Sequence, residues 1–327
     1  MGKDRDTLGV PAYALEDKLS KSSSAGNQGP DIRSDCFVSL ELKSKGGVQI
    51  ELTSKVGALF GDSIRALAKE ILAHFEIEHA KLQIDDQGAL AFVLAARIEA
   101  AIKGLIDSDE EFWPEFNEQN RYQTQPDRFR RSRLYLPGNT PKLMLNAGVH
   151  QPDGIILDLE DSVAPAKKEE ARLLVRNALR QVDFYGAERM VRINQGERGL
   201  EDLRYVVPHN PNLILIPKCE TADQVQAVDE RIMELSGENK ITDPIYLMPI
   251  IESALGVVNA YQIASASPNV MALAIGLEDY TADLGAPRTQ EGHETVYARN
   301  ALVNAARAAG IQAIDSVFSD VSDMEAL

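Results

Sequence analysis

The stretch MALAIGLEDYTADLGAP, residues 271–287, is an apolar run that ends in the acids Glu278, Asp279 and Asp283. A short apolar run of this kind is typical of a buried strand. Similar runs alternate with amphipathic helical segments throughout residues 128–327. The apolar segments are RLYLPG, GIILDLED, RMVRIN, LILIPK, YLMPIIE, MALAIGLED and QAIDSVF. Repeated βα units with apolar strands predict a parallel sheet, and seven in a row predict a (β/α)8 TIM barrel that lacks its eighth unit.

The seven-unit pattern leaves two sheet edges unpaired. We therefore expect an eighth strand either from a longer product or from another chain.

The residues before the predicted barrel fall into two parts. Residues 1–30 are polar and lack hydrophobic periodicity. After them, CFVSLEL, VQIELTS and AKLQID are predicted strands, and SIRALAKEILAHF and LAFVLAARIEAAIK are predicted helices. The predicted divisions are a flexible tail at 1–30, a small α+β domain at 31–104, a linker at 105–127 and the barrel at 128–327.

The composition restricts the classes of partner. The chain carries a formal charge of −16, whereas nucleic acids and anionic membranes are bound by clustered Lys and Arg, so neither is expected. No apolar run approaches the roughly 20 residues of a membrane span, and no signal peptide is recognised, so we predict a cytoplasmic protein. Cys36 and Cys219 are too few and too far apart for a disulfide framework or a thiolate zinc site.

Polar side chains stand at the ends of four predicted strands, where the chemistry of a barrel takes place. They are Asp158, Glu160 and Asp161 in LDLED, Arg192 in VRIN, Glu252 in IIES, and Glu278 with Asp279 in GLED. Converging carboxylates repel unless a cation holds them, and oxygen ligands without His or Cys favour Mg²⁺. Glu252 and one acid of GLED are therefore the predicted Mg²⁺ ligands. The alternative is that each acid caps the helix that follows it.

Two basic side chains accompany these acids. Arg192 is suited to grip a substrate carboxylate with two hydrogen bonds, and its alternative is a structural pair with Asp158 or Glu160. Lys218, in LIPKCE, could form a Schiff base with a carbonyl substrate. Among so many acids, however, we expect Lys218 to stay protonated and ion-paired.

The segment PGNTPK, residues 137–142, predicts the start of a helix. Asn139 or Thr140 would be the N-cap and Pro141 would lie in the first turn. Such a start is either simply capped or available to bind a phosphate group.

The segments RSRLYLPGNTPKL, GIILDLEDSVAPAKKEEAR, MVRIN, LIPKCE, PIIESALG and GLEDYTADLG, in this order, resemble the citrate lyase β-subunit (citryl thioester lyase) family of Mg²⁺-dependent HpcH/HpaI-type aldolases, which includes malyl-CoA lyases. The resemblance covers about residues 130–327. It implies that Glu252 and Asp279 bind Mg²⁺ and that Arg192 holds the oxoacid carboxylate. It also implies that Glu160 or Asp161 acts in catalysis by contacting a metal-bound water.

The same resemblance implies that Arg133, Asn139 and Lys142 bind the thioester substrate, with the PGNTPK turn beside its phosphates or pantetheine arm. It further implies a homo-oligomer, in which an acid from a neighbouring subunit enters the site. That acid falls in a part of the family barrel beyond residue 327.

The small domain resembles the citrate lyase γ-subunit, an acyl carrier protein, through DCFVSLEL, GGVQIELTSKVGALFGDSIRALAKEIL and KLQIDDQGALAFVLAARIEAA. In that family a serine before the first strand carries a phosphoribosyl-dephospho-coenzyme A arm. Aligning the family's aspartate on Asp35 sets this serine opposite Arg33, so Ser34, one place later, is the candidate attachment residue. The alternative is an ordinary strand-cap serine in a carrier that no longer carries.

Together the two resemblances predict a lyase that cleaves a citryl thioester to oxaloacetate and an acetyl thioester, with its carrier tethered at high effective concentration. The citrate lyase α-subunit is a candidate partner. One alternative is a malyl-CoA-lyase-like enzyme that uses free coenzyme A thioesters beside a vestigial carrier domain. The other is a non-catalytic carrier or assembly subunit, against which the cluster of Glu252, Asp279 and Arg192 weighs.

Overall fold

The computed structural model describes residues 22–317. Its contacts divide the chain into two compact units. The first comprises Met1–Phe116, Asn139–Leu145 and Pro165–Val182, and the second Asn117–Gly138, Asn146–Ala164 and Asp183–Leu327. Residues 1–21 of the predicted tail lie outside the described residues. Among the helices between residues 22 and 317, none has the length and apolar character needed to cross a bilayer.

A four-stranded sheet in the order β1-β2-β4-β3 forms the centre of the first unit. Its strands are β1 (Ser22–Gly26), β2 (Cys36–Leu42), β3 (Val48–Ser54) and β4 (Ala80–Asp86). Strand β2 pairs antiparallel with both β1 and β4, and β3 pairs parallel with β4. The three strands predicted after residue 31 are confirmed, because their alternating apolar residues line one buried face.

Strand β1 corrects the prediction of a flexible tail that extends to residue 30. Its residues pair with β2 from Ser22 opposite Glu41 to Gly26 opposite Phe37. The SSSAG sequence carries no apolar periodicity, so its composition gives no signal for a strand. The antiparallel ladder nevertheless satisfies its backbone groups, and this ladder orders the segment.

The helices of the first unit are α1 (Gly57–His74), α2 (Ala91–Lys103), α3 (Pro141–Met144) and α4 (Lys168–Gln181). Helix α2 packs against β1, β2, α1 and α4. It is therefore buried on nearly every side, including Arg97 and Glu99. Although α4 follows the strand Gly154–Asp158 in sequence, it clusters with the small sheet.

Buried ion pairs connect α2 with its neighbours in the first unit. Arg97 donates to Asp35 through Nε (3.0 Å) and Nη2 (2.9 Å), and its Nη1 lies 3.5 Å from Oε1 of Glu170. Arg176 of α4 donates to both carboxylate oxygens of Glu99, at 2.5 and 2.9 Å. Charges without solvent access are tolerated when they are paired and hydrogen-bonded in this way.

The second unit is built on a seven-stranded parallel sheet whose spatial order follows the chain from β5 to β11. Its strands are β5 (Arg133–Pro137), β6 (Gly154–Asp158), β7 (Glu188–Arg192), β8 (Leu213–Ile216), β9 (Tyr246–Ile251), β10 (Ala272–Ile275) and β11 (Gln312–Ile314). Its helices are α5 (Gly196–Val206), α6 (Ala222–Asn239), α7 (Ala254–Val258), α8 (Ala260–Ala264), α9 (Leu277–Leu284) and α10 (Val296–Ala309). All seven predicted strands and the α/β class are confirmed.

The parallel sheet is strongly curved. Its inner face carries a core that includes Ile156, Met190, Leu215 and Met248. Side chains also join the regions of its first and last strands: Arg130 Nη1 donates to Gln312 Oε1 at 3.1 Å, and Arg133 Nη2 donates to the carbonyl of Asp315 at 3.0 Å. Between residues 22 and 317, no backbone ladder joins β5 to β11.

Candidate active site

A cavity of about 640 Å³ opens where the strands of the second unit end. Parallel strands bring their C-terminal ends to the same edge, so side chains that are distant in sequence meet there. The lining residues at or just after a strand end include Pro137, Asp158, Arg192, Glu252, Gly276 and Asp315.

Asp158 and Arg192 form the first pair in this cavity. They are directly opposite each other in the register of β6 and β7. Arg192 donates to the two carboxylate oxygens of Asp158 from Nε and Nη2, both at 2.7 Å. Burial alone would lower the pKa of Arg192, but the hydrogen bonds and charge of Asp158 outweigh burial and raise it. The pKa of Asp158 is lowered, because its bonds to Arg192 outweigh its burial.

Glu160 lies behind this pair and is almost completely buried. Its Oε2 is 3.1 Å from Nη1 of Arg192. Its Oε1 accepts from Nε2 of Gln195 at 2.8 Å and from Nζ of Lys218 at 3.3 Å. Glu160 therefore contacts both Arg192 and Lys218.

Lys218 lies at the centre of the acids. Its Nζ donates to Asp279 Oδ2 at 2.9 Å and to Asp161 Oδ2 at 3.3 Å, in addition to Glu160. Burial would lower the pKa of Lys218, but the hydrogen bond that it donates to Asp279 and the charges of the surrounding acids raise it well above its ordinary value. The prediction that Lys218 is ion-paired is confirmed, and its three carboxylate partners disfavour the neutral amine that a Schiff base requires.

Glu252 follows β9 and is buried. Its Oε1 accepts from the backbone N–H of Lys218 at 2.6 Å, a geometry obtained because Lys218 adopts a left-handed backbone conformation with φ of 45°. Burial raises the pKa of Glu252 to about 7, with a further contribution from the charge of Asp279. The space for Glu252 depends on Gly276, since a Cβ there would lie 2.4 Å from Oε2 of Glu252.

The donor set of Glu252 and Asp279 fits Mg²⁺. This ion takes only one or two protein carboxylates and keeps several waters. Among residues 22–317 no group of three His, Cys, Asp or Glu side chains is arranged to hold a metal. The buried Glu252 faces other carboxylates, and a nearby cation would stabilise its ionised form.

The other acids of GLEDYTADLG have structural partners. Glu278 lies 3.4 Å from Nε of Arg288. Asp283 accepts from the backbone N–H of Ala254, the first residue of α7, at 2.8 Å. Asp283 therefore binds the first turn of α7, a helix that precedes it in the chain, and does not cap a helix that follows it.

Arg133 lines the cavity and donates across to Asp315. Burial lowers the pKa of Arg133. Its predicted role toward the substrate stays a prediction.

Asn139 and Lys142 belong to the first unit. The carbonyl of Asn139 accepts from Nη2 of Arg97 at 3.1 Å. As predicted, Thr140 is the N-cap and Pro141 the first residue of α3, but no side chain caps this helix. Lys142 is exposed. Their roles toward the thioester also stay predictions.

Ser34 lies two residues before β2, in a left-handed backbone conformation with φ of 56°. Its N–H donates to the carbonyl of Gln87 at 3.0 Å, and its side chain is half-buried rather than exposed. The next residue, Asp35, is fixed by Arg97. Both cysteines are free and buried, as expected of packing residues.

Three features of the cavity were not predicted. Gln195 orients Glu160, Gly276 makes room for Glu252, and Tyr135 lies under the guanidinium of Arg192, 5.4 Å from the ring centroid. Gly276 directly follows β10 and Gln195 lies three residues after β7, so position along the chain could have identified these two, whereas Tyr135 lies inside β5 and carries no such signal.

Residues 131–327 match the family model described as HpcH/HpaI aldolase/citrate lyase, and residues 25–105 match the model described as ACP, malonate decarboxylase delta subunit (MdcD). Citrate lyase subunit beta of Leuconostoc mesenteroides is 41% identical over 206 residues, which cover 61% of this chain and 67% of the relative. Citrate lyase subunit beta of Haemophilus influenzae is 39% identical over 201 residues, 61% of this chain and 69% of the relative.

A further relative is the L-malyl-CoA/beta-methylmalyl-CoA lyase of Cereibacter sphaeroides, which is 33% identical over 61% of this chain and 70% of that protein. A solved Mycobacterium tuberculosis structure, described as a citrate lyase beta subunit complexed with oxaloacetate and magnesium, aligns with a TM-score of 0.47 at 28% identity over 64% of this chain and 85% of that chain. The family match spans more than half of the 327 residues. The chain belongs to the HpcH/HpaI aldolase/citrate lyase family.

Proposed function

We propose that this protein is a Mg²⁺-dependent carbon–carbon lyase, which cleaves a citryl thioester to oxaloacetate and an acetyl thioester. The observation that carries the proposal is the cavity that Arg192, Glu252 and Asp279 line together, with Lys218 hydrogen-bonded to both Glu252 and Asp279. Membership of the family and the citrate lyase beta subunits among its relatives support the choice of reaction. The match to an acyl carrier model supports a thioester substrate.

Glu252 and Asp279 are the residues that would hold Mg²⁺, which supplies Lewis-acid polarisation of hydroxyl and carboxylate oxygens when it is bound. Arg192 would bind a carboxylate of the oxaloacetate portion through its cavity-facing edge. Asp158 fixes the guanidinium with two hydrogen bonds, so little side-chain entropy is lost when the substrate arrives.

Cleavage requires a base that removes the proton of the substrate hydroxyl. Glu160 is unsuited, since Arg192, Gln195 and Lys218 occupy both of its oxygens. Asp161 is the better candidate of the two, because its side chain is 57% exposed and faces the cavity beside Lys218. In this proposal Glu160 is a positioning residue, and Asp161 accepts the proton directly or through a water.

The proposal also covers the complete fold of the second unit, the protein partners and the cellular compartment. The curved sheet would be seven strands of a (β/α)8 barrel, since its strands are parallel, sequential and bridged from first to last by side chains. A homo-oligomer and the citrate lyase α-subunit are proposed partners. The cytoplasm is the proposed compartment.

The reaction is tested by incubating the full chain with citryl-CoA and Mg²⁺ and measuring oxaloacetate through malate dehydrogenase and NADH. We expect release that stops on chelation of Mg²⁺. The isosteric variant Glu252→Gln should lower kcat/KM at least about a hundred-fold, because one metal ligand loses its charge. Failure of the wild-type protein to cleave either citryl-CoA or malyl-CoA would favour the non-catalytic alternative.

A second candidate within the same chemistry uses free coenzyme A thioesters, and the half-buried environment of Ser34 is the observation that favours it. Intact mass and peptide mapping of protein from its native host separate the two forms. A prosthetic increment on the peptide that contains Ser34, absent from Ser34→Ala, indicates a working carrier. Full recovery of the unmodified peptide indicates the free-thioester enzyme.

The space beside Gly276 makes the replacement Gly276→Ala informative. The new methyl group would force the carboxylate of Glu252 away from the N–H of Lys218. We expect kcat/KM to fall by roughly ten- to a hundred-fold and the free energy of unfolding to fall by about 1–3 kcal/mol. Steady-state kinetics and urea unfolding measure the two quantities.

Gly237→Ala is the matched control, since Gly237 lies inside α6 with open space around its Cβ position. It should leave turnover unchanged and raise the free energy of unfolding by up to about 1 kcal/mol. Equal kinetics for Gly276→Ala and the wild type would show that the position of Glu252 does not matter for the reaction.

A further inference from the structure

We infer that Lys218 is an internal counter-ion, which a divalent cation must displace from Asp279 before Glu252 and Asp279 can bind that cation together. The inference rests on the proposed function, because it concerns the same two carboxylates. It assigns Lys218 a positioning role that neither the strand pattern nor the family resemblance gives it.

Lys218 contacts each proposed ligand with a different part of its structure. Its backbone N–H donates to Oε1 of Glu252 at 2.6 Å, and its Nζ donates to Oδ2 of Asp279 at 2.9 Å. One residue therefore fixes both carboxylates. The backbone contact can remain when a cation binds, whereas the ammonium group stands where it competes with the cation for Asp279.

Two other carboxylates are close enough to hold the ammonium group when it leaves Asp279. Glu160 Oε1 and Asp161 Oδ2 are each 3.3 Å from Nζ. The side chain is one-third exposed, so it has room to move. On leaving Asp279, Lys218 would keep two carboxylate partners, and its charge would stay in the cavity.

A positive charge this close to Asp279 opposes a divalent cation by Coulomb repulsion. Removal of the charge should therefore tighten cation binding, whereas its retention on another side chain should not. Lys218→Met keeps an unbranched stem without the charge. Lys218→Arg keeps the charge.

The test is isothermal titration of each full-length protein with MgCl₂ alone. We expect the Kd for Mg²⁺ to fall about tenfold in Lys218→Met and in the polar variant Lys218→Gln, and to stay within about twofold of wild type in Lys218→Arg. Lys218→Gln supplies the answer if Lys218→Met does not fold. Lys240→Met is the matched control, because Lys240 is an exposed lysine of the same unit that also has a left-handed backbone, with φ of 56°.

The outcomes separate this inference from the proposed function. One outcome is that the wild type binds Mg²⁺ and that Lys218→Met and Lys218→Gln both bind it with equal or weaker affinity. This outcome overturns the counter-ion role and leaves the metal site intact. Absence of Mg²⁺ binding in the wild type and in all variants overturns the metal site and the inference with it. Binding that is detected only after removal of the lysine charge supports the inference.

Discussion

Arg192→Met is expected to lower kcat/KM for citryl thioester cleavage by about a thousand-fold, and Arg192→Lys by about a hundred-fold. The guanidinium uses Nε and Nη2 to bind Asp158, which leaves Nη1 toward Glu160 and the cavity. A lysine ammonium is a single point charge and cannot keep the paired bonds to Asp158 while it presents an N–H to the substrate. The conservative variant therefore should not rescue activity.

Steady-state kinetics with citryl-CoA measures this effect, and circular dichroism establishes that each variant is folded. Arg307→Lys is the matched control, since Arg307 is exposed on α10 of the same unit. Its kinetic constants should equal those of the wild type. Activity of Arg192→Lys within about twofold of wild type would remove Arg192 from substrate binding and leave it as a structural partner of Asp158.

Arg176→Met is expected to lower the free energy of unfolding of the first unit by about 3–5 kcal/mol. Arg176 and Glu99 are both fully buried, and the arginine also donates to Glu111 and to the carbonyl of Phe112. Its removal would leave the charge of Glu99 without its main partner in a site closed to water. Solvent cannot compensate for this loss.

Urea unfolding followed by the fluorescence of Trp113, the only tryptophan and a residue of the first unit, measures this loss. Arg65→Met is the control, because Arg65 lies 3.8 Å from a fully exposed Asp62 and its replacement should change the free energy by less than about 1 kcal/mol. The double variant Glu99→Leu with Arg176→Met should be more stable than Arg176→Met alone. A loss below about 1 kcal/mol for Arg176→Met would show that Glu99 finds another partner.

The strand pattern carried most of the fold prediction. Apolar runs of four to six residues specify buried parallel strands, and the acids that interrupt those runs mark the edge where the cavity opens. Asp158, Arg192, Glu252 and Asp279 could be placed in one site for this reason. Their grouping depends only on strand ends meeting at one edge of the sheet.

The remaining features depend on contacts that local periodicity does not encode. The left-handed backbone of Lys218, which directs its N–H to Glu252, is rare for lysine and has no sequence signal. Arg130 and Glu188 form a buried ion pair although they are 58 positions apart in the chain. From the sequence alone, each would be predicted to be a charged surface residue. Strand β1 was missed because its small polar residues resemble those of a linker.

Helix α4 lies inside the segment that matches the aldolase family, yet Arg176 and Glu170 on this helix are joined to Glu99 and Arg97 on α2. When two domains are joined by gene fusion, either domain can usually be replaced by a homologous domain from another protein. Here a foreign carrier module would have to bring both matching charges, or α4 would have to be recoded at the same time. Recombination at the linker alone would leave buried charges without partners on both products. The buried pairs between α2 and α4 therefore oppose a later separation of the two modules into two genes.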